Sequence, residues 1–217
     1  MRKLALLILV ASAMAAFGQL NVKQIADRVD HHYNNLRTMQ TEFVETYHGG
    51  GIARTESGTL WLKRPGRMRW EYEEPREKLF IADGKTAWFY VPGEHQARKA
   101  PVNKLDDLRS PLAYLLGKTK LQKEFAGLSL APDVRPLTPG DVVLRGVPKS
   151  MADRVSEVLL EVTPDGRIDR IIAEQVDGTS TEFRFSDQKE NVAIPDQRFR
   201  FSPPRGVETI DTAELGQ

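Results

Sequence analysis

The run from Gly58 to Pro92, GTLWLKRPGRMRWEYEEPREKLFIADGKTAWFYVP, limits the fold more than any other part of the chain, because its side chains alternate in character with a period of two. Met68, Trp70 and Tyr72 share one parity, while Arg67, Arg69, Glu71 and Glu73 share the other, as a half-buried strand requires. Pro65-Gly66 and Asp83-Gly84 are turn dipeptides between successive runs, so three strands are expected here, each antiparallel to its neighbour. Leu60, Leu62 and Arg64 share a parity on the first of them. A guanidinium in line with leucines must find acceptors that leucines do not supply.

The rest of the chain extends this pattern. Val22, Ile25, Ala26, Val29, Tyr33 and Leu36 recur at helical spacing, predicting an amphipathic helix over 21–36. Met39 to Tyr47 alternates more weakly as a first strand and ends at Gly49-Gly50-Gly51, with a hairpin partner over Ile52 to Lys63. Gly93 to Asp107 reads as a loop. Ser110-Pro111 is a helix-start signature, with Leu112, Leu115 and Leu116 following and Gly117 placed to close a short helix of about two turns. So short a helix is marginal alone and must dock on apolar surface. Further strands are expected at Asp141–Arg145, Val155–Thr163, Arg167–Val176, Ser180–Ser186 and Arg198–Phe201, divided by turns such as Asp165-Gly166 and Asp177-Gly178. The fold class is therefore mainly β with covering α. One antiparallel sheet of about ten or eleven strands should curl into a barrel or part-barrel whose mouth the two helices cover.

Composition narrows the function. The chain has 217 residues and a net charge of +1, which offers no long-range field for a polyanion, so nucleic acid is not an expected partner. The chain contains no cysteine, which removes disulfides, thiolate metal sites, thiol nucleophiles and a lipid-anchoring cysteine together. Arg2-Lys3, the apolar run Leu4 to Val10 and small residues to Gly18 read as a secretory signal over 1–18. The run is too short to span a bilayer, leaving 19–217 as one exported, unanchored domain with no stable membrane insertion, and a monomer is expected. His31 and His32 are adjacent on a helix rather than at i, i+4, and His48 and His95 stand apart, so no metal site is expected. Glu71, Glu73, Glu74 and Glu77 lack an apolar pocket to tune them for acid catalysis. Without a phosphate loop, nucleophile elbow or dinucleotide fingerprint, neither an enzyme nor a cofactor is expected.

An apolar surface with a lid remains, and here the sequence resembles a known family. Gly58-Thr59-Leu60-Trp61-Leu62-Lys63-Arg64-Pro65, then Trp70 and Pro75, Ile81-Ala82-Asp83-Gly84-Lys85-Thr86 with Trp88-Phe89-Tyr90, Ser110-Pro111-Leu112, and Phe199-Arg200-Phe201-Ser202-Pro203-Pro204-Arg205-Gly206-Val207 follow the order and spacing of the periplasmic outer-membrane lipoprotein carriers, LolA. The resemblance implies an open, strongly curved antiparallel half-barrel closed by short helices over a hydrophobic cavity. It also implies a periplasmic carrier that takes acylated lipoproteins from an inner-membrane ABC exporter to an outer-membrane receptor. By match, Arg64 would face the cavity mouth and bond to a lid helix. The expected acyl-chain lining and lid are Leu60, Leu62, Arg64, Met68, Trp70, Leu79, Ile81, Trp88, Tyr90, Leu112, Leu115 and Leu116. Glu45 departs from the family pattern, which favours a neutral residue there, and Lys118 to Pro139 matches nothing firmly. The competing expectations are a related half-barrel that binds other lipids or senses envelope stress, an exported enzyme, and a filled structural barrel.

Overall fold

In the computed structural model, which describes residues 21–102 and 120–212, period-two alternation builds one twelve-stranded sheet, open and curved. The signal expected over 1–18 and the leucine helix carrying Leu112, Leu115 and Leu116 lie outside the described residues. Helix α1 (Val22–Asn35) starts at Asn21, whose side chain accepts the Lys23 N–H at 2.8 Å, and it buries the stripe Ile25, Ala26, Val29 and Tyr33. The strands are β1 (Thr38–Gly49), β2 (Ile52–Lys63), β3 (Arg67–Glu74), β4 (Lys78–Asp83), β5 (Thr86–Tyr90), β6 (Gln96–Pro101), β7 (Phe125–Leu130), β8 (Val142–Pro148), β9 (Val155–Val162), β10 (Ile168–Gln175), β11 (Ser180–Glu190) and β12 (Glu208–Asp211), with the single-turn helix α2 (Leu121–Glu124) before β7.

Their order is β12-β6-β5-β4-β3-β2-β1-β11-β10-β9-β8-β7. β1 pairs with β11 and so joins two meanders, and among the described residues β12 alone pairs in parallel, on β6. Twelve strands replace the ten or eleven expected. The loop expected over Gly93 to Asp107 contains β6, because Ala97 and Ala100 have small side chains that gave no amphipathic signal yet are buried. The strand expected at Arg198–Phe201 is instead a 3-10 turn, Asp196–Phe199, leading into extended chain. Phe199 and Phe201 do share a side, but they pack on the sheet rather than pairing within it.

Two glycines position the layers. A Cβ on Gly58 would stand 1.9 Å from the Glu71 carbonyl oxygen, so only glycine permits the β2–β3 register shift between Ser57 and Gly58. Gly166, at φ +91°, turns β9 into β10 directly beneath α1, where a Cβ would meet the Arg28 carbonyl oxygen at 2.8 Å. That close approach is held by Arg28 Nη1, which donates to the Pro164 carbonyl at 2.8 Å, and by the Ile168 N–H, which donates to the Tyr33 hydroxyl at 2.9 Å.

Candidate functional site

The hairpin registers sort the side chains into two faces. The inner face is the one on which α1 packs: Leu62 lies opposite Met39 and Met68, Met68 opposite Ala82, Leu60 opposite Thr41 and Trp70, and Trp70 opposite Phe80. Phe43, Phe183 and Phe185 continue it across β1 and β11, and Ile171, Leu160 and Leu144 across the second meander. These residues form one apolar cluster with the α1 stripe. Its aromatic centre is ordered edge to face, with Phe43 at 4.8 Å from Trp70 and 4.9 Å from Tyr72, and Trp70 at 5.8 Å from Phe183. Leu60, Leu62, Met68 and Trp70 are therefore brought together as expected.

Leu79, Ile81, Trp88 and Tyr90 are not among them. Ile81 pairs with Arg69 and Trp88, and Leu79 with Glu71 and Tyr90, all on the outer face. There the C-terminal segment covers them: Phe201 packs 5.4 Å from Trp88 and 5.5 Å from Tyr90, and Trp61 joins Ile194 and Phe199. Asp196 pins this strap through Lys63 at 2.6 Å and Arg67 at 2.8 Å, and the Arg198 guanidinium stacks 4.5 Å above Trp61. Residues 79–82 read Leu-Phe-Ile-Ala because β4 is covered on both sides, and a strand buried twice shows no alternation. Phe80 and Phe89 are the inner aromatics missed in sequence. Register could have found them, since the Asp83-Gly84 hairpin that pairs Ala82 with Ala87 also sets Phe80 against Phe89, on the side of Trp70.

Arg64 leaves the end of β2 on the inner side and reaches α1. Its Nη1 donates to the Asn34 carbonyl at 3.2 Å, in the last turn of the helix, where carbonyls lack intrahelical partners. Its backbone N–H is held by the Arg37 carbonyl at 3.0 Å. Burial lowers the guanidinium pKa, and Nη2 is enclosed with no hydrogen-bond partner among the described residues. Further along α1, His32 Nε2 lies 2.8 Å from Glu190 Oε1, and Asp30 accepts the Leu121 N–H at 3.1 Å.

The opposite end of the inner face is polar. Glu45 lies across from Phe183 on β11 and Glu56 on β2, and its Oε2 accepts the Tyr72 hydroxyl at 2.7 Å. Lys78 pairs with Glu56 at 2.5 Å and sits 4.2 Å above the Tyr72 ring. Burial pushes the Glu45 carboxyl above its ordinary value, and burial followed by the Glu45 charge pushes the Tyr72 phenol well up. Among the described residues, no group of three or more His, Cys, Asp or Glu could hold a metal, and no helix is long and apolar enough to cross a membrane.

Residues 34–202 match the family described as outer membrane lipoprotein carrier protein LolA. An outer-membrane lipoprotein carrier protein of Nitrosospira multiformis is 33% identical over 81% of this chain and 83% of its own length. One from Chromobacterium violaceum is 30% identical over 80% and 81%. The crystal structure of an uncharacterized conserved protein from Thermus thermophilus superposes at a TM-score of 0.56 over 87% of this chain and 98% of that one, at 15% identity, a likeness of fold alone.

Proposed function

The chain belongs to the LolA family of outer membrane lipoprotein carriers, and from that membership we propose that it ferries acylated lipoproteins across the periplasm, from an inner-membrane exporter to an outer-membrane receptor. The observation that carries this reading is the inner face itself. It is one apolar surface from Ala82 to Leu144 that forms a single cluster with the α1 stripe, and Arg64 reaches the last turn of that helix.

Each acyl chain of some fifteen methylenes gains about 12 kcal/mol on leaving water, at roughly 0.8 kcal/mol per CH₂. A carrier must match most of that and still release. Before any ligand binds, the α1 stripe already packs into this cluster, and its buried apolar side chains each contribute about 1.5–3 kcal/mol. Incoming acyl chains displace that cover instead of filling vacant surface, so net affinity stays moderate and transfer to a more apolar acceptor runs downhill. Arg64 is the latch in this scheme. Leu60, Leu62, Met68 and Trp70, with Phe43, Phe80 and Phe183, form the acyl-chain surface.

The test is mass spectrometry of whatever elutes with the protein purified from the periplasm. Acylated peptides are the expected result. Free glycolipid alone would turn the reading toward a carrier of other lipids, and no bound lipid, together with no uptake of a purified acylated lipoprotein, would end it.

A further inference from the structure

Glu45 is out of place energetically. It stands on an apolar face between the aromatic residues Phe43 and Phe183 and directly across from another carboxylate, Glu56, an arrangement that opposes folding on both counts. The lysine within reach, Lys78, is paired with Glu56, and Arg54 lies 3.9 Å from Glu56 as well. Glu45 therefore keeps only the Tyr72 hydroxyl, on Oε2, and its Oε1 has no hydrogen-bond partner among the described residues. A glutamine of the same shape would fill this site without the charge.

Position gives the acid a use. Along the inner face, Arg64 and the end of α1 stand at one end, the aromatic cluster of Phe43, Trp70 and Phe80 in the middle, and Glu45 with Tyr72 at the other. An acyl chain laid against a carboxylate strips its water and returns nothing, so tails should avoid that end. A group carrying N–H donors gains a charge-assisted hydrogen bond there.

We propose that Glu45, oriented by Tyr72, is a binding residue for the polar junction of an N-acylated peptide ligand, accepting an amide N–H on Oε1 and so directing the acyl tails toward the Arg64 end. The inference rests on the carrier reading and adds a direction and a specificity-determining residue to it. It distinguishes acylated peptides, which carry amide donors where tail meets head, from acylglycerols, which carry only acceptors at their ester junctions.

Binding of two fluorescent probes with matched tails, an N-palmitoylated peptide with S-diacylglyceryl cysteine and a triacylglycerol, separates the possibilities. The intact protein should favour the lipopeptide. Glu45→Leu should weaken lipopeptide binding by about ten-fold or more, the loss of a charge-assisted hydrogen bond, while leaving the acylglycerol unchanged or tighter. Tyr72→Phe, which keeps the ring, should reduce the same preference by a smaller factor, and Glu45→Gln guards against a folding defect in the leucine variant. If the protein binds both probes and neither Glu45 variant changes their ratio, the assignment is overturned while the carrier reading stands. If the protein binds neither probe, both fall.

Discussion

Two arginines stand among apolar neighbours in this sheet, and their surroundings differ in kind. Arg170, on the outer face of β10, is buried and sits in an ion pair 2.7 Å from Glu161 and a longer one, 3.7 Å, with Glu182, while it also donates to the Arg135 carbonyl at 3.0 Å. Glu161 in turn accepts the Leu137 and Thr138 N–H groups at 2.7 and 3.2 Å, so the loop between β7 and β8 is fastened to the sheet at three backbone points. Arg64, on the inner side, has one neutral carbonyl at 3.2 Å and an enclosed, unpartnered Nη2 among the described residues. Opposed carboxylates hold a guanidinium in place. A lone carbonyl at a helix end positions it without committing it.

Breaking the outer clamp should therefore cause the largest loss. Glu161→Ala leaves the Arg170 charge buried beside a single longer partner and two loop N–H groups unsatisfied, and should lower unfolding free energy by about 3–5 kcal/mol. Urea titration followed by tryptophan fluorescence measures it. A loss below about 1 kcal/mol would erase the contrast between the two arginines.

An intermediate effect is expected where α1 meets the sheet. Tyr33→Phe leaves the buried Ile168 N–H without its acceptor and should cost about 1–3 kcal/mol. Hydrogen exchange at Ile168 sharpens the comparison: if α1 is the element that lifts, protection at this amide should fall in the variant and in the lipid-loaded protein, while the Leu137 and Thr138 amides stay protected.

How much of this was legible in the sequence follows from what covers each face. β3 read correctly because its outer side carries charge, so Met68 and Trp70 stood out against Arg67 and Arg69. β4 and β5 misled because Phe201 and the 3-10 turn cover their outer side, and a sequence window holds no trace of a strap that arrives more than a hundred residues later. The need of Arg64 for acceptors was readable from its parity, and a helix as their source was implied by the family resemblance. That the described helix is α1, through Asn34, was not, because this contact depends on how far α1 runs across the sheet. Glu45 was visible only as a departure from the family pattern, and its meeting with Tyr72 runs across β2, where Gly58 lies opposite both Phe43 and Tyr72.

Arg64→Leu tests the other half of the comparison. It removes one hydrogen bond to a neutral carbonyl, and the leucine matches the lining around it, so stability should change by no more than about 1 kcal/mol. Function should change more than stability does. With no latch to re-form, the closed state no longer helps expel the ligand, and transfer of a bound acylated lipoprotein to acceptor membranes should slow. A variant that transfers at the parent rate would reduce Arg64 to a turn residue.

The smallest effect is a slope, and here the two faces should oppose each other. Lys63 and Arg67 hold Asp196, in the outer strap, below the usual carboxylate range, so its contribution is present above that range and is lost as pH falls through the depressed value. Glu45 behaves in the opposite way. Burial raises its pKa despite the Tyr72 hydrogen bond and the nearby Lys78 and Arg54 charges, with Glu56 adding to the rise. The folded state then holds a proton that the unfolded chain has already released, so stability declines as pH climbs from the ordinary value of 4.5 through the raised one and stays lower above it. Glu45→Gln should flatten that decline and stabilise the protein at neutral pH, measured as the difference in urea midpoint between parent and variant across pH 4 to 8. Destabilisation at neutral pH would mean that the carboxylate serves the fold and is not retained for a ligand.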